Sequence, residues 1–215
     1  MFAESDELPS SSVREIAYLR ALSLYDHIMQ FHDMFTVQLG AKLQLCLIFE
    51  LCETTLAKLI GTEELGREKI KNFLHQVGHQ INSIGVPGRE YSNDVVTFWY
   101  RAPELLLGSY KYAFGIDIWS VGCIFFEMIQ RKPLFRKEQV EKQLRKIYNI
   151  MGSPDDMDQP LVRGELSNKL KGGVDVGIAG VQLLAKMLNV RPDERISARD
   201  ALKEAYFQNA ESDAQ

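Results

Sequence analysis

Apolar residues recur at helical spacing over most of the chain and run as short, strand-like stretches in only two places. Val13, Ile16, Leu19 and Leu22 follow Pro9 and Ser10-Ser11-Ser12, which supply an N-cap, so a helix begins there. Phe31–Val37 and Leu43–Phe49 read as two strands, separated by Gly40 and Lys42. Leu56–Ile60 is a short helix. Glu68–Ile84 is a longer one, with Ile70, Phe73, Leu74, Val77, Ile81 and Ile84 on one face, and Gly85-Val86-Pro87-Gly88 breaks it. Residues 85–100 read as loop. Asp117–Gln130 is apolar nearly all round and predicts a buried central helix. Val140–Met151 and Ala179–Leu188 are amphipathic, Ala198–Tyr206 is a last helix, and Gln208–Gln215 is a polar tail. Two strands against six or seven helices predict a mainly α (α+β) structure.

Composition adds little beyond exclusions. The 215 residues suffice for one domain with a real core and a smaller second lobe. Hydrophobic and charged fractions of 46% and 25% are ordinary for a globular chain, and a net charge of -4 gives no basic surface for nucleic acid. Cys46, Cys52 and Cys123 have no metal-ligand spacing and predict buried thiols in a reducing compartment. The longest apolar runs, such as Leu45–Phe49, fall far short of a membrane span. The acidic Met1–Glu7 stretch does not look like a secretory leader. An intracellular protein of nucleus or cytoplasm is the expectation.

One run carries more information than all of this. Val95-Val96-Thr97-Phe98-Trp99-Tyr100-Arg101-Ala102-Pro103-Glu104-Leu105-Leu106-Leu107-Gly108 contains the A-P-E signature that closes a protein-kinase activation segment. It resembles the cyclin-dependent branch of the Ser/Thr kinases. Four further stretches are similar to that family, in the right order. They are Pro9–Glu15, like the helix that faces the cyclin; Leu47–Cys52, like the fifth strand and the hinge; Asp117–Ile124, like the central C-lobe helix; and Leu188–Ala198, like the closing segment. Val96–Trp99 and Ile150-Met151-Gly152 lean toward the Mediator-associated kinases. The resemblance implies a kinase-like C-lobe helical bundle with a remnant N-lobe. Residues 1–52 would be that remnant and the hinge, residues 53–207 the C-lobe, and residues 208–215 a tail.

Residue by residue, the resemblance places Val13, Arg14 and Glu15 on the cyclin-facing helix, which makes a cyclin or another protein the partner. Glu15 matches the glutamate that pairs with the ATP-positioning lysine, with a solvated helix-face glutamate as the alternative. Phe49, Glu50 and Cys52 match the adenine-facing hinge. Ser92 matches the activation-loop phosphosite, with a plain loop serine as the alternative. Glu104 and Arg195 match a structural ion pair. Asp117 matches an aspartate that accepts hydrogen bonds from the catalytic-loop backbone.

What is absent matters as much. Phosphoryl transfer in this family uses a glycine-rich loop, a strand-three lysine, the H-R-D-x-x-x-x-N loop and the D-F-G metal site. Residues 1–14 contain neither lysine nor glycine. Between Cys52 and Glu104 the reaction needs two aspartates, one as base and one for magnesium, and only Asp94 is there, too near A-P-E for either role. The simplest description is a deletion between Ile84 and Gly85. We therefore expect no catalytic or metal residues and no ATP or magnesium binding. Two functions stay open: an incomplete, inactive version of a cyclin-dependent kinase, through splicing or a gene-model error, or a pseudokinase that works as a partner-binding scaffold. The deletion also leaves Asp117 without its family donors. It must then find new ones, sit exposed in an opened groove, or destabilise the chain.

Overall fold

The computed structural model describes residues 10–23, 25–40, 42–83, 98–109, 114–153 and 161–208. Of the residues singled out above, Ser92 and Asp94 lie outside these, as does the 84/85 junction, and the side chains of Val13, Arg14 and Glu15 are also outside the described part. Among the described residues there are two strands and ten α-helices, a mainly α, protein-kinase-like fold with a small remnant of the N-lobe. The chain divides into two compact units, residues 1–55 and 56–215. No helix among the described residues is long and apolar enough to cross a membrane.

The first unit holds α1 (Ser10–Leu22), β1 (Phe31–Leu39) and β2 (Lys42–Phe49). β1 and β2 form an antiparallel hairpin in which Met34 faces Leu47 and Phe35 faces Cys46, with an irregularity between Phe31 and Asp33. Gly40 turns the chain with a φ of 63°, a left-handed conformation that costs glycine no steric penalty. The end of α1 is tied to the start of β1 through one hydroxyl. Ser23 Oγ donates to Leu19 O at 2.7 Å and accepts from Phe31 N–H at 2.9 Å. Phe31 is buried, with its ring edge-on to Phe49 at 5.6 Å.

The second unit is built around α5 (Gly115–Gln130). Ile118, Trp119, Val121, Cys123, Phe125, Phe126, Met128 and Ile129 are buried, so this helix has core on most of its circumference. Against it pack α3 (Arg67–Ser83), α8 (Gly177–Met187) and a 3-10 turn at Phe98–Tyr100. Trp119 stacks on Phe135 with centroids 5.5 Å apart. The helix ends at Arg131, which adopts a left-handed φ of 58°, and whose guanidinium donates to the carbonyls of Ile60 and Gly61 at 2.9 Å each. Those carbonyls belong to the last turn of α2 (Leu56–Thr62), where a helix has acceptors with no internal donor. α4 (Pro103–Leu106), α6 (Val140–Met151), α7 (Leu161–Lys169), α9 (Ala198–Ala201) and α10 (Ala205–Gln208) complete the unit.

Several expectations need correction. α4 and α7 are helices the periodicity did not reveal. α4 is a single turn opened by Pro103, and α7 carries Gly164 inside an irregular apolar pattern. The helix expected over Ala198–Tyr206 is split. Across Lys203 and Glu204 the amides bond to the third residue back, so the turn tightens between α9 and α10. The thiols are not uniformly buried: Cys123 is, Cys46 is half-buried, and Cys52 is exposed because it lies past the end of β2.

The crossing of α5 and α8 depends on a missing side chain. A Cβ at Gly122 would lie 2.9 Å from Leu188 Cδ2 and 3.2 Å from Met187 Cβ. Gly122→Ala should therefore destabilise the unit by about 1–3 kcal/mol through overpacking. Gly61→Ala, in α2 with no atom within 4 Å of the new methyl, should stabilise by up to about 1 kcal/mol. Denaturant melts of the two variants check this. Parent-like stability of Gly122→Ala would mean that the two helices are not this close.

Candidate functional site

The residues singled out by sequence fall in both units. In the first, Val13, Arg14 and Glu15 lie in the helical run of α1. Phe49 ends β2 and is half-buried against Phe31. Glu50 follows it, exposed, and closes the mouth of the hairpin. Its N–H donates to Gln30 O at 3.0 Å, and its Oε1 accepts from Gln30 N–H at 2.9 Å. Cys52 is exposed beyond it.

In the second unit, Glu104 and Arg195 meet. Pro103 opens α4, because its fixed φ suits a first helical position, and this places Glu104 in the first turn. Arg195 comes from the segment between α8 and α9. Its Nη1 lies 2.7 Å from Glu104 Oε1 and its Nη2 3.0 Å from Oε2, a bidentate pair. Nη1 also donates to Gly115 O at 2.7 Å and Nε to Asn189 O at 2.9 Å. The guanidinium stands 5.2 Å from the Trp119 ring. The Arg195 side chain is 0% exposed and that of Glu104 13%, so the pair is desolvated.

The segment that carries Glu104 is held by side chains the sequence reading passed over. Tyr100 Oη donates to Glu127 Oε2 at 2.6 Å. Burial first, and then the Glu127 carboxylate, push the Tyr100 phenol well above its ordinary pKa. Ser120 Oγ donates to Tyr100 O at 3.0 Å, and Gln143 Nε2 donates to Trp99 O at 3.3 Å. Arg136 lies over the Trp99 ring at 4.6 Å. A signal for part of this set was present in the sequence. Asp117, Ser120 and Glu127 interrupt an otherwise apolar helix at three- and seven-residue steps, which puts them on one stripe of α5.

Asp117 is the member of that stripe without a partner. Its side chain is exposed, and among the described residues its carboxylate makes no hydrogen bond. Neighbouring protein atoms still strip part of its hydration, which raises its pKa above the usual carboxylate value. Its place in the first turn of α5 works the other way, because the helix N-terminus favours negative charge.

Among the described residues no three His, Cys, Asp or Glu side chains come together as a metal site. A magnesium nucleotide needs carboxylate ligands and a base, and residues 53–104 hold Asp94 as their single aspartate. The described residues do not fit that group.

A family description, the protein kinase domain, matches residues 81–207, more than half of the chain. The match begins inside α3 and runs through the Glu104–Arg195 pair to α10. The chain belongs to the protein kinase domain family, whose members use ATP and magnesium.

Removing one partner of a buried pair leaves the other charge without compensation, at a cost of about 3–5 kcal/mol. Arg195→Ala should lower the denaturation midpoint accordingly or abolish soluble expression. The double change Glu104→Gln with Arg195→Met leaves no lone charge and should be milder. Equal loss in both would show that packing, not charge, dominates the site.

The Asp117 shift has a defined sign. A folded-state pKa above the unfolded one penalises the native state as the carboxylate ionises. Stability from this site is therefore present in acid and lost as pH rises through the carboxylate range. Asp117→Asn should melt above the parent at neutral pH, with the difference fading below the ordinary carboxylate range. A variant that melts below the parent at neutral pH would mean that the helix-terminal attraction outweighs desolvation.

Proposed function

We propose that this chain is a member of the cyclin-dependent branch of Ser/Thr kinases that does not transfer phosphate, and that it is an incomplete version of an active relative. The observation that carries this reading is the interval between Cys52 and Glu104. It is bounded by hinge-like and A-P-E stretches, yet it has one aspartate where the reaction uses two. A base and a metal ligand are lost together, while the flanking motifs keep their order. This is the pattern of a removed segment rather than of point changes. The lean toward the Mediator-associated kinases rests on Val96–Trp99 and Ile150-Met151-Gly152. A cyclin or another protein on α1 is the partner, with Val13, Arg14 and Glu15 facing it, and the place of action is the nucleus or cytoplasm. Ser92 is the phosphosite of this reading.

A second reading, a pseudokinase that serves as a partner-binding scaffold, draws support from the segment around Glu104. Ser120, Glu127, Gln143 and Arg195 anchor residues 98–109 without any catalytic group. Such a surface is usable for binding with no chemistry behind it. The messenger RNA across the codons for Ile84 and Gly85 separates the two readings. A retained or skipped exon encoding H-R-D and D-F-G favours the incomplete kinase, and an uninterrupted junction with detected protein favours the scaffold.

Both readings require that the purified chain, given a cyclin, magnesium ATP and a generic protein acceptor, shows only background phosphate incorporation. Turnover near the ordinary kinase range of about 1–100 per second would overturn them. ATP should likewise give no melting shift at millimolar concentration. A bound ligand at about a hundred times its dissociation constant would add about 2.7 kcal/mol.

A further inference from the structure

We propose that the outer edge of β2 is a self-association surface, at which two copies of the chain pair β2 to β2, antiparallel, about a two-fold axis through Cys46.

Among the described residues the sheet has two strands, so each strand has one unpaired edge. An isolated hairpin is marginal in water, and unpaired strand edges are templates for further pairing. The two edges are unequally protected. β1 carries His32 and Asp33 and an irregularity between Phe31 and Asp33, devices that blunt an edge. β2 has regular pairing, and from Leu43 to Phe49 it has no charge and no proline. Apolar surface on the ribbon is open to solvent, with Phe35 51% and Ile48 40% exposed.

Backbone geometry decides which β2 groups face that edge. Glu50 N–H donates to Gln30 O, so Glu50 points toward β1. Strand alternation then turns the N–H and C=O of Ile48, Cys46 and Gln44 toward β1, and those of Leu43, Leu45, Leu47 and Phe49 outward. A two-fold axis through Cys46 satisfies this set. Leu45 faces Leu47 of the second copy, and Leu43 faces its Phe49, so the outward groups exchange hydrogen bonds. In this register Lys42 falls opposite Glu50 of the second copy, so each end of the paired segment matches residues of opposite charge. Glu50 keeps Oε1 on Gln30 and remains exposed. The two Cys46 residues become a directly opposed pair without mutual backbone bonds, with Cα atoms about 4.5 Å apart. Pairing turns two marginal ribbons into one four-stranded sheet, and the closed two-fold contact stops at two copies.

The test uses the full chain with Cys52→Ala, which leaves Cys46 as the accessible thiol, since Cys123 is buried. Light scattering over a dilution series should give twice the chain mass at high concentration, falling to the chain mass on dilution. A short bismaleimide should link the dimer through Cys46, identified by peptide mapping. Leu45→Pro removes an outward N–H, which an edge strand tolerates, and should abolish both the doubled mass and the link while the helical circular dichroism is kept. If that variant does not fold, Leu45→Lys places a charge on the same edge and should act alike. A chain mass at every concentration overturns the proposal. So does a dimer that does not link through Cys46, a Leu45→Pro dimer, or open-ended aggregates in place of a dimer.

Discussion

Arg195 gathers three stretches of chain, two of them 80 and 91 residues away, onto one buried cation, and the helical unit depends on that convergence. Its four hydrogen bonds reach Glu104 in α4, the carbonyl of Gly115 at the start of α5, and the carbonyl of Asn189 after α8. A guanidinium out of water is tolerated only when its donors are met and its charge is balanced. Here the planar fork matches the carboxylate at both oxygens, and two backbone carbonyls take further donors. The contact ties α4 to the start of α5 and to the end of α8.

The same logic extends along α5. A helix buried on most of its surface has one stripe left for polar contacts, and nearly all of that stripe serves the 98–109 segment. Ser120 and Glu127 hold Tyr100 at its carbonyl and hydroxyl, and Gln143 of α6 reaches Trp99 from the side. Segment 98–109 thus has a fixed position although it is built of a 3-10 turn and one helical turn. Asp117, at the top of the stripe, is the exception. It stands exposed and partly desolvated, with no hydrogen bond to its carboxylate among the described residues.

The first unit obeys different physics. One helix and a hairpin bury few side chains, with Ile16 and Phe31 the buried apolar residues described there. Ser23, Gln30 and Glu50 stitch the ends of these elements with hydrogen bonds, where a larger domain would rely on core. A unit with so little interior is stabilised most readily by adding surface, and β2 is the edge where addition meets least resistance.

The sequence by itself determined the class of fold, the order of the kinase-like segments and the presence of a single aspartate between Cys52 and Glu104. Each of these rests on local pattern: helical spacing for α3 and α6, an apolar run for α5, short apolar stretches for β1 and β2, and a fixed run of residues around Ala102-Pro103-Glu104. It also marked Glu104 and Arg195 as partners, although through resemblance rather than spacing, since they stand 91 residues apart. Tertiary structure alone decided what the remaining polar residues do. Tyr100 and Gln143 look unremarkable in the chain, and the spacing of Ser120 and Glu127 marks a shared stripe of α5 but not what it binds, because a hydrogen bond across 20 to 44 positions leaves no periodic trace. The one-turn helix α4 and the break between α9 and α10 were illegible for the same reason. A single turn carries too few residues to show a period, and its placement is fixed by what it packs against. The unequal protection of the two strand edges became meaningful only once Glu50 was seen bonded to Gln30, since that contact sets which backbone groups of β2 face outward.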